Sequence, residues 1–239
     1  MILVPLLLLA IGVADLTRLG DAAASRRGTL IGAGSAAVVL LLGALGVGLG
    51  WHALWIVPVG AGVSVAWWLL SGTRPLVPPE RPLGLVVLAA PLLLVLAFGQ
   101  HLPSTTGWLH DWYASLTVPG LGDVTFDRFA MAVAVFVFLQ ATANLVVRLV
   151  LTSSDRELLS LGGAPRGGRI LGPLERSFLF AFALAGEYTA VAAIIAAKGV
   201  LRFPEVSGRG PDDARKAEYV LVGSFLSWFL ALVFVPLVK

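Results

Sequence analysis

The chain contains no cysteine among its 239 residues. Disulfides, thiol catalysis, iron–sulfur clusters and cysteine-ligated zinc are therefore excluded. Charge is scarce as well: 13% of the residues are Asp, Glu, Lys or Arg, against about 25% in a typical soluble domain. Histidine occurs three times, as His52, His101 and His110. Asp111, Asp123 and Asp127 fall on the same side, but no HExxH pair or other close ligand spacing joins them. No metal, no cofactor and no nucleophile–base pairing is expected. The net charge of +3 is small, and Lys and Arg lie between apolar runs. That pattern points to membrane topology and anionic lipid headgroups, not to nucleic acid.

Apolar sequence is what the chain has in excess. Its residues are 58% hydrophobic, with a mean hydropathy of +0.91. Apolar runs fall near 1–14, 29–50, 53–71, 83–100, 129–151, 177–197 and 217–237. Several approach the roughly 20 residues needed to cross a hydrocarbon core. They are continuous, without the two-residue alternation of a membrane barrel. The expected fold is all-α, a polytopic transmembrane bundle of six to seven membrane segments. The first run is short and is expected to tilt or to thin the bilayer. It has no positive residues before it, so it reads as a retained helix; a cleaved signal ending near Ala14 is the alternative. Two regions are expected. Membrane helices with an outer interfacial loop near 101–128 occupy 1–151, and a polar membrane module with a Gly/Arg-rich cytoplasmic loop occupies 152–239.

Basic residues orient the chain. Arg18, Arg26 and Arg27, then Arg74 and Arg81, then Arg148, Arg156, Arg166, Arg169 and Arg176 mark three connections as cytoplasmic. The N-terminus is then outside. The sixth segment conflicts with this pattern. A straight crossing leaves Arg128, Lys198, Arg202, Arg209, Arg215 and Lys216 outside. A hairpin at Gly186-Glu187 leaves only Arg128 and Lys239 there, so the charges favour a re-entrant or broken segment. Such backbone must be covered by protein or water.

Glu187 is the strongest polar signal, a carboxylate inside an apolar run. Lys198 is eleven residues away, roughly 16 Å along a helix and too far to pair. Arg148 or Asn144 is the expected partner. Gln140, Asn144 and Arg148 recur at spacing four and share one helix face. They line either a helix–helix contact or a polar pathway. Glu218 opens the last run. In that run Gly223, Ser227 and Ala231 make a small-residue stripe suited to close helix approach, including that of another membrane protein. The loop SLGGAPRGGRILGPLER offers Arg166, Arg169 and Arg176 to a phosphate or an anionic headgroup, but lacks a P-loop ending. In the outer loop Leu109, Trp112, Tyr113 and Leu116 form an apolar face, with Trp108 and Trp112 at headgroup level.

The strings GGRILGPLERSF, EYTAVAAIIAAKGVLRFPE and AEYVLVGSFLSW together resemble the C-terminal membrane region of a bacterial multi-pass family known only as a domain of unknown function. The resemblance covers about residues 168–237 and rests on Gly168, Arg169, Gly172, Leu174, Glu175, Arg176, Tyr188, Lys198, Arg202, Phe203, Ala217, Glu218, Tyr219, Gly223 and Ser227. It implies no activity. It does imply that the charges belong to one unit, with a polar network among Glu175, Glu187, Lys198, Arg202 and Glu218. Three functions are in view. The first is a small transporter or channel-like protein with its site around Glu187. The second is a non-catalytic subunit that stabilises a partner membrane protein. The third is an enzyme acting on lipid or polyprenyl-phosphate.

Overall fold

The computed structural model describes residues 2–19, 26–71, 83–98, 106–120, 122–154, 168–206 and 211–239. All regular structure among them is helical. The helices are α1 (Leu3–Leu16), α2 (Arg26–Gly46), α3 (Ala53–Ser71), α4 (Leu83–Phe98), α5 (Trp108–Ala114), α6 (Phe126–Gln140), α7 (Thr142–Ser154), α8 (Gly168–Ala185), α9 (Tyr188–Val206), α10 (Pro211–Leu232) and α11 (Val235–Val238). Among the described residues three helical stretches are long and apolar enough to cross a membrane: 27–46, 50–71 and 217–238. The α6–α7 pair makes a fourth if it is one broken span, while α1 and α4 are shorter apolar helices. The chain is thus an all-helical protein with membrane-spanning character. By length and composition the described residues hold three to four candidate spans.

Two compact units divide the chain, the first ending at Thr142 and the second running from Ala143 to Leu237. In the first, α1 packs against α2, α3, α4 and α6. Val4, Leu8, Ala10 and Ile11 on it have at most 1% of their surface exposed. The short first run is therefore enclosed within its own unit. The reason lies in its composition: a helix apolar on every face is stable only where every face is covered. Around one end of α1, Ile2, Leu3 and Leu6 pack with Ala44, Val47, Leu49, Ile56 and Phe126. Around its middle and other end, Ala10 and Ala14 pack with Ala36, Leu40 and Trp68.

Helix α5 is the expected interfacial segment, but its faces divide differently. Leu109 and Tyr113 turn inward onto the cluster at the start of α1, and the Tyr113 hydroxyl donates to the Val124 carbonyl at 2.7 Å. Trp108 and Trp112 face outward. The helix is seated at Gly107, where a Cβ would lie inside contact distance of Gly46, Val47 and Gly48 backbone atoms. Backbone cannot rotate away as a side chain can. Gly107→Ala should therefore cost about 1–3 kcal/mol, as overpacking does. Faster amide exchange confined to α5 would be the signature, and unchanged exchange there would refute the seat.

The second unit is built on an antiparallel helical hairpin. Helices α8, α9 and α10 all pack on one another. Gly186 ends α8 with φ +82°. Its N–H bonds the Ala183 carbonyl at 3.2 Å, and the Glu187 N–H bonds the Phe182 carbonyl at 2.8 Å. This pairing closes a helix on a left-handed residue, a conformation open to glycine at no steric cost. The Glu187 carbonyl then accepts the Val191 N–H at 3.2 Å and starts α9. The stretch 177–197 is therefore not one straight helix, and the break falls at the expected residues.

Other expectations are corrected. Residues 168–176 and 198–206 are helical, not loop, so each arm of the hairpin is longer than its apolar core. The residues read as loop at 15–18 are the last turns around α1. The fifth segment is not continuous either: Ala141 is non-helical at φ −124°, ψ −54°, and α6 and α7 meet there at 52°.

Candidate functional site

Each unit holds one carboxylate gripped by a cation and an indole. In the first unit the carboxylate is Asp15, 1% exposed. Its Oδ2 accepts from Trp67 Nε1 and from Thr142 Oγ1, both at 2.8 Å. Its Oδ1 lies 3.2 Å from Arg18 Nε, one turn further along. The Arg18 guanidinium in turn sits 3.9 Å from the centre of the Trp68 ring. Asp15 thereby ties the end of α1 to α3 and to the first residue of α7. Two hydrogen bonds to Oδ2 and a cation at ion-pair distance of Oδ1 offset the cost of burying this group. Charged residues in a membrane bundle are expected to face its interior and to pair in this way.

In the second unit the carboxylate is Glu175 on α8. Its Oε2 is 2.6 Å from Lys198 Nζ on α9, and its Oε1 accepts from Trp228 Nε1 on α10 at 2.6 Å. Glu175 and Lys198 stand almost equally far from the Gly186 turn, so the antiparallel hairpin brings them level. Their side chains are 10% and 15% exposed. Arg176, next to Glu175, points the other way and is 2% exposed. Its Nη2 donates to Asn144 Oδ1 at 2.7 Å and its Nη1 to Ser227 Oγ at 3.0 Å. The adjacent pair Glu175-Arg176 thus organises α7, α8, α9 and α10 around one polar core.

The sequence-derived candidates divide accordingly. Lys198 and Asn144 belong to this core. Gln140 bonds its own helix, donating to the Phe136 carbonyl at 2.9 Å, and the break at Ala141 removes the continuous helix that would align it with Asn144 and Arg148. Arg148 is half-buried, one turn beyond Asn144 on α7. Glu187 is exposed at the turn, and its carboxylate has no hydrogen bond among the described residues; the expected Asn144 partner belongs to Arg176 instead. Glu218 is exposed on α10. Of the network expected from the resemblance, Glu175 and Lys198 meet directly.

Arg176 is not a headgroup ligand, because it is sealed among helices. Arg166 and the side chain of Arg169 lie outside the described residues, as does His101. The small-residue stripe faces this chain's own helices: Ala231 is fully buried, Ser227 bonds Arg176, and Gly223 faces Leu151 and Val147. His52 stacks on Trp51 and His110 lies edge-on to Phe126. No group of three or more His, Asp or Glu suited to a metal occurs among the described residues.

The sequence reading missed Asp15, Arg18, Trp67, Thr142 and Trp228. The available signal was the spacing Asp15–Arg18, an acid followed by a base at i,i+3 directly after an apolar run. No family model, no curated protein and no solved structure matches the chain.

Proposed function

We propose that the chain is a multi-pass protein of the bacterial inner membrane, N-terminus outside, acting as a small transporter or channel-like protein. Its polar site is the Glu175–Lys198–Trp228 core, not Glu187. The supporting observation is a charged pair held inside a helical unit yet still partly accessible. Intramembrane ionisable pairs commonly mark proton or ion routes. The arms α8 and α9 have 18 and 19 residues, about 27–28 Å of helix each, close to the ~30 Å of a hydrocarbon core. A hairpin that reaches across and returns keeps Lys198, Arg202, Arg209, Arg215 and Lys216 with the cytoplasmic charges. Lys239 donates to the Tyr188 hydroxyl at 2.8 Å, in keeping with a last helix that ends on the side of the hairpin turn.

Reconstitution in liposomes tests this reading. An imposed proton or cation gradient should drive flux through the wild-type protein. Glu175→Gln should abolish that flux, and Glu187→Gln should leave it. Wild-type flux in Glu175→Gln would overturn the assignment, and loss of flux in Glu187→Gln alone would return the site to the turn. For the subunit reading, the exposed residues Leu221, Val222, Phe225 and Phe229 of α10 offer an apolar surface. A partner co-purifying in mild detergent and lost in Phe225→Ala would favour it.

A further inference from the structure

We propose that the Trp228 ring is a second seat for the Lys198 ammonium, and that the species taken up by Glu175 is a proton whose arrival moves Lys198 from carboxylate to ring. The idea deepens the transport reading and rests on it for its purpose. One indole touches both charges. Its N–H holds Glu175 Oε1 at 2.6 Å, while its ring centre lies 5.4 Å from Lys198 Nζ, inside the ~6 Å reach of a cation–π contact. The ammonium thus has the carboxylate and the ring face both within reach.

The surrounding charges favour that exchange. Glu175 is the carboxylate that acts on Lys198 among the described residues, while Arg176 on α8 and Arg202 on α9 act on it with like charge. Helix α10 meets the pair with the neutral Trp228, while Arg176 is held by the neutral Ser227 of α10 and Asn144 of α7. Neutralising Glu175 therefore removes the attraction that holds the ammonium against two neighbouring cations. An ammonium in a poorly hydrated site requires a replacement partner, and the ring face supplies one. The chemistry is a single proton addition to the Glu175 carboxylate. Lysine keeps its own protons, and the reverse step re-forms the pair and releases the proton.

The test uses the full chain labelled with 5-fluorotryptophan in lipid nanodiscs and read by fluorine NMR. Trp228→Phe assigns the Trp228 resonance, and the other six tryptophans report folding. Acidification should move the Trp228 resonance to a second position. Glu175→Gln should hold it at that second position at neutral pH, and Lys198→Met should abolish the movement. A Trp228 resonance that stays fixed on acidification of the wild type overturns the proposal. So does Glu175→Gln leaving the resonance at its wild-type position, or movement that persists in Lys198→Met. If Glu175→Gln disturbs the other six resonances, the wild-type titration alone decides. Movement without flux in liposomes would keep the switch and remove the transport reading.

Discussion

Asp15→Ala is expected to destabilise the first unit by about 3–5 kcal/mol, the usual consequence of removing one member of a buried ion pair. The alanine leaves Arg18 charged and buried beside α1, and strips the Trp67 indole and the Thr142 hydroxyl of their acceptor. The double variant Asp15→Ala/Arg18→Leu should recover much of that loss, because it removes the stranded charge with its partner. Denaturant titration of the protein in nanodiscs gives the comparison. Equal stabilities of Asp15→Ala and wild type would show that the cluster contributes nothing. A double variant as unstable as the single one would show that the unmet Trp67 and Thr142 donors, not Arg18, carry the cost.

Ser227→Ala and Asn144→Leu are expected to cost about 1.5–3 kcal/mol each, the range for hydrogen bonds to a charged group. Each change leaves a guanidinium N–H group without its acceptor at a residue 2% exposed. The Ser227 variant separates two explanations of the Gly223, Ser227 and Ala231 stripe. If the stripe serves only close helix approach, alanine is as small as serine and stability should hold. If Ser227 is there to accept from Arg176, stability should fall. Arg176→Lys should fail to rescue either contact, since an ammonium lacks the fork that reaches two acceptors on different helices. The two losses share Arg176 as a partner and so should not add.

The two clusters use the same chemistry to different ends. Asp15 is enclosed, with two donors on Oδ2 and Arg18 at ion-pair distance of Oδ1, an arrangement that fastens helices. Glu175 and Lys198 keep some accessible surface and have a ring within reach as an alternative partner. That difference, more than the presence of charge, is why the proposed transport site is put in the second unit.

By itself the sequence determined the helical membrane class, because continuous apolar runs with little charge bury stably only as helices whose backbone bonds are internal. It also pointed to the break at Gly186-Glu187, since a straight crossing would leave the basic residues of 198–216 on the side poor in positive charge. The break at Ala141 was not legible: FVFLQATANLVV contains neither glycine nor proline. It occurs where Thr142 turns to the Asp15 carboxylate, a residue 127 positions away. Likewise the partners of Glu175 and Arg176 come from α7, α9 and α10, at separations of 23 to 53 residues. Helical spacing predicts neighbours three and four residues apart. Which carboxylate meets which cation across a bundle is set by how helices pack, and only the tertiary structure decided it.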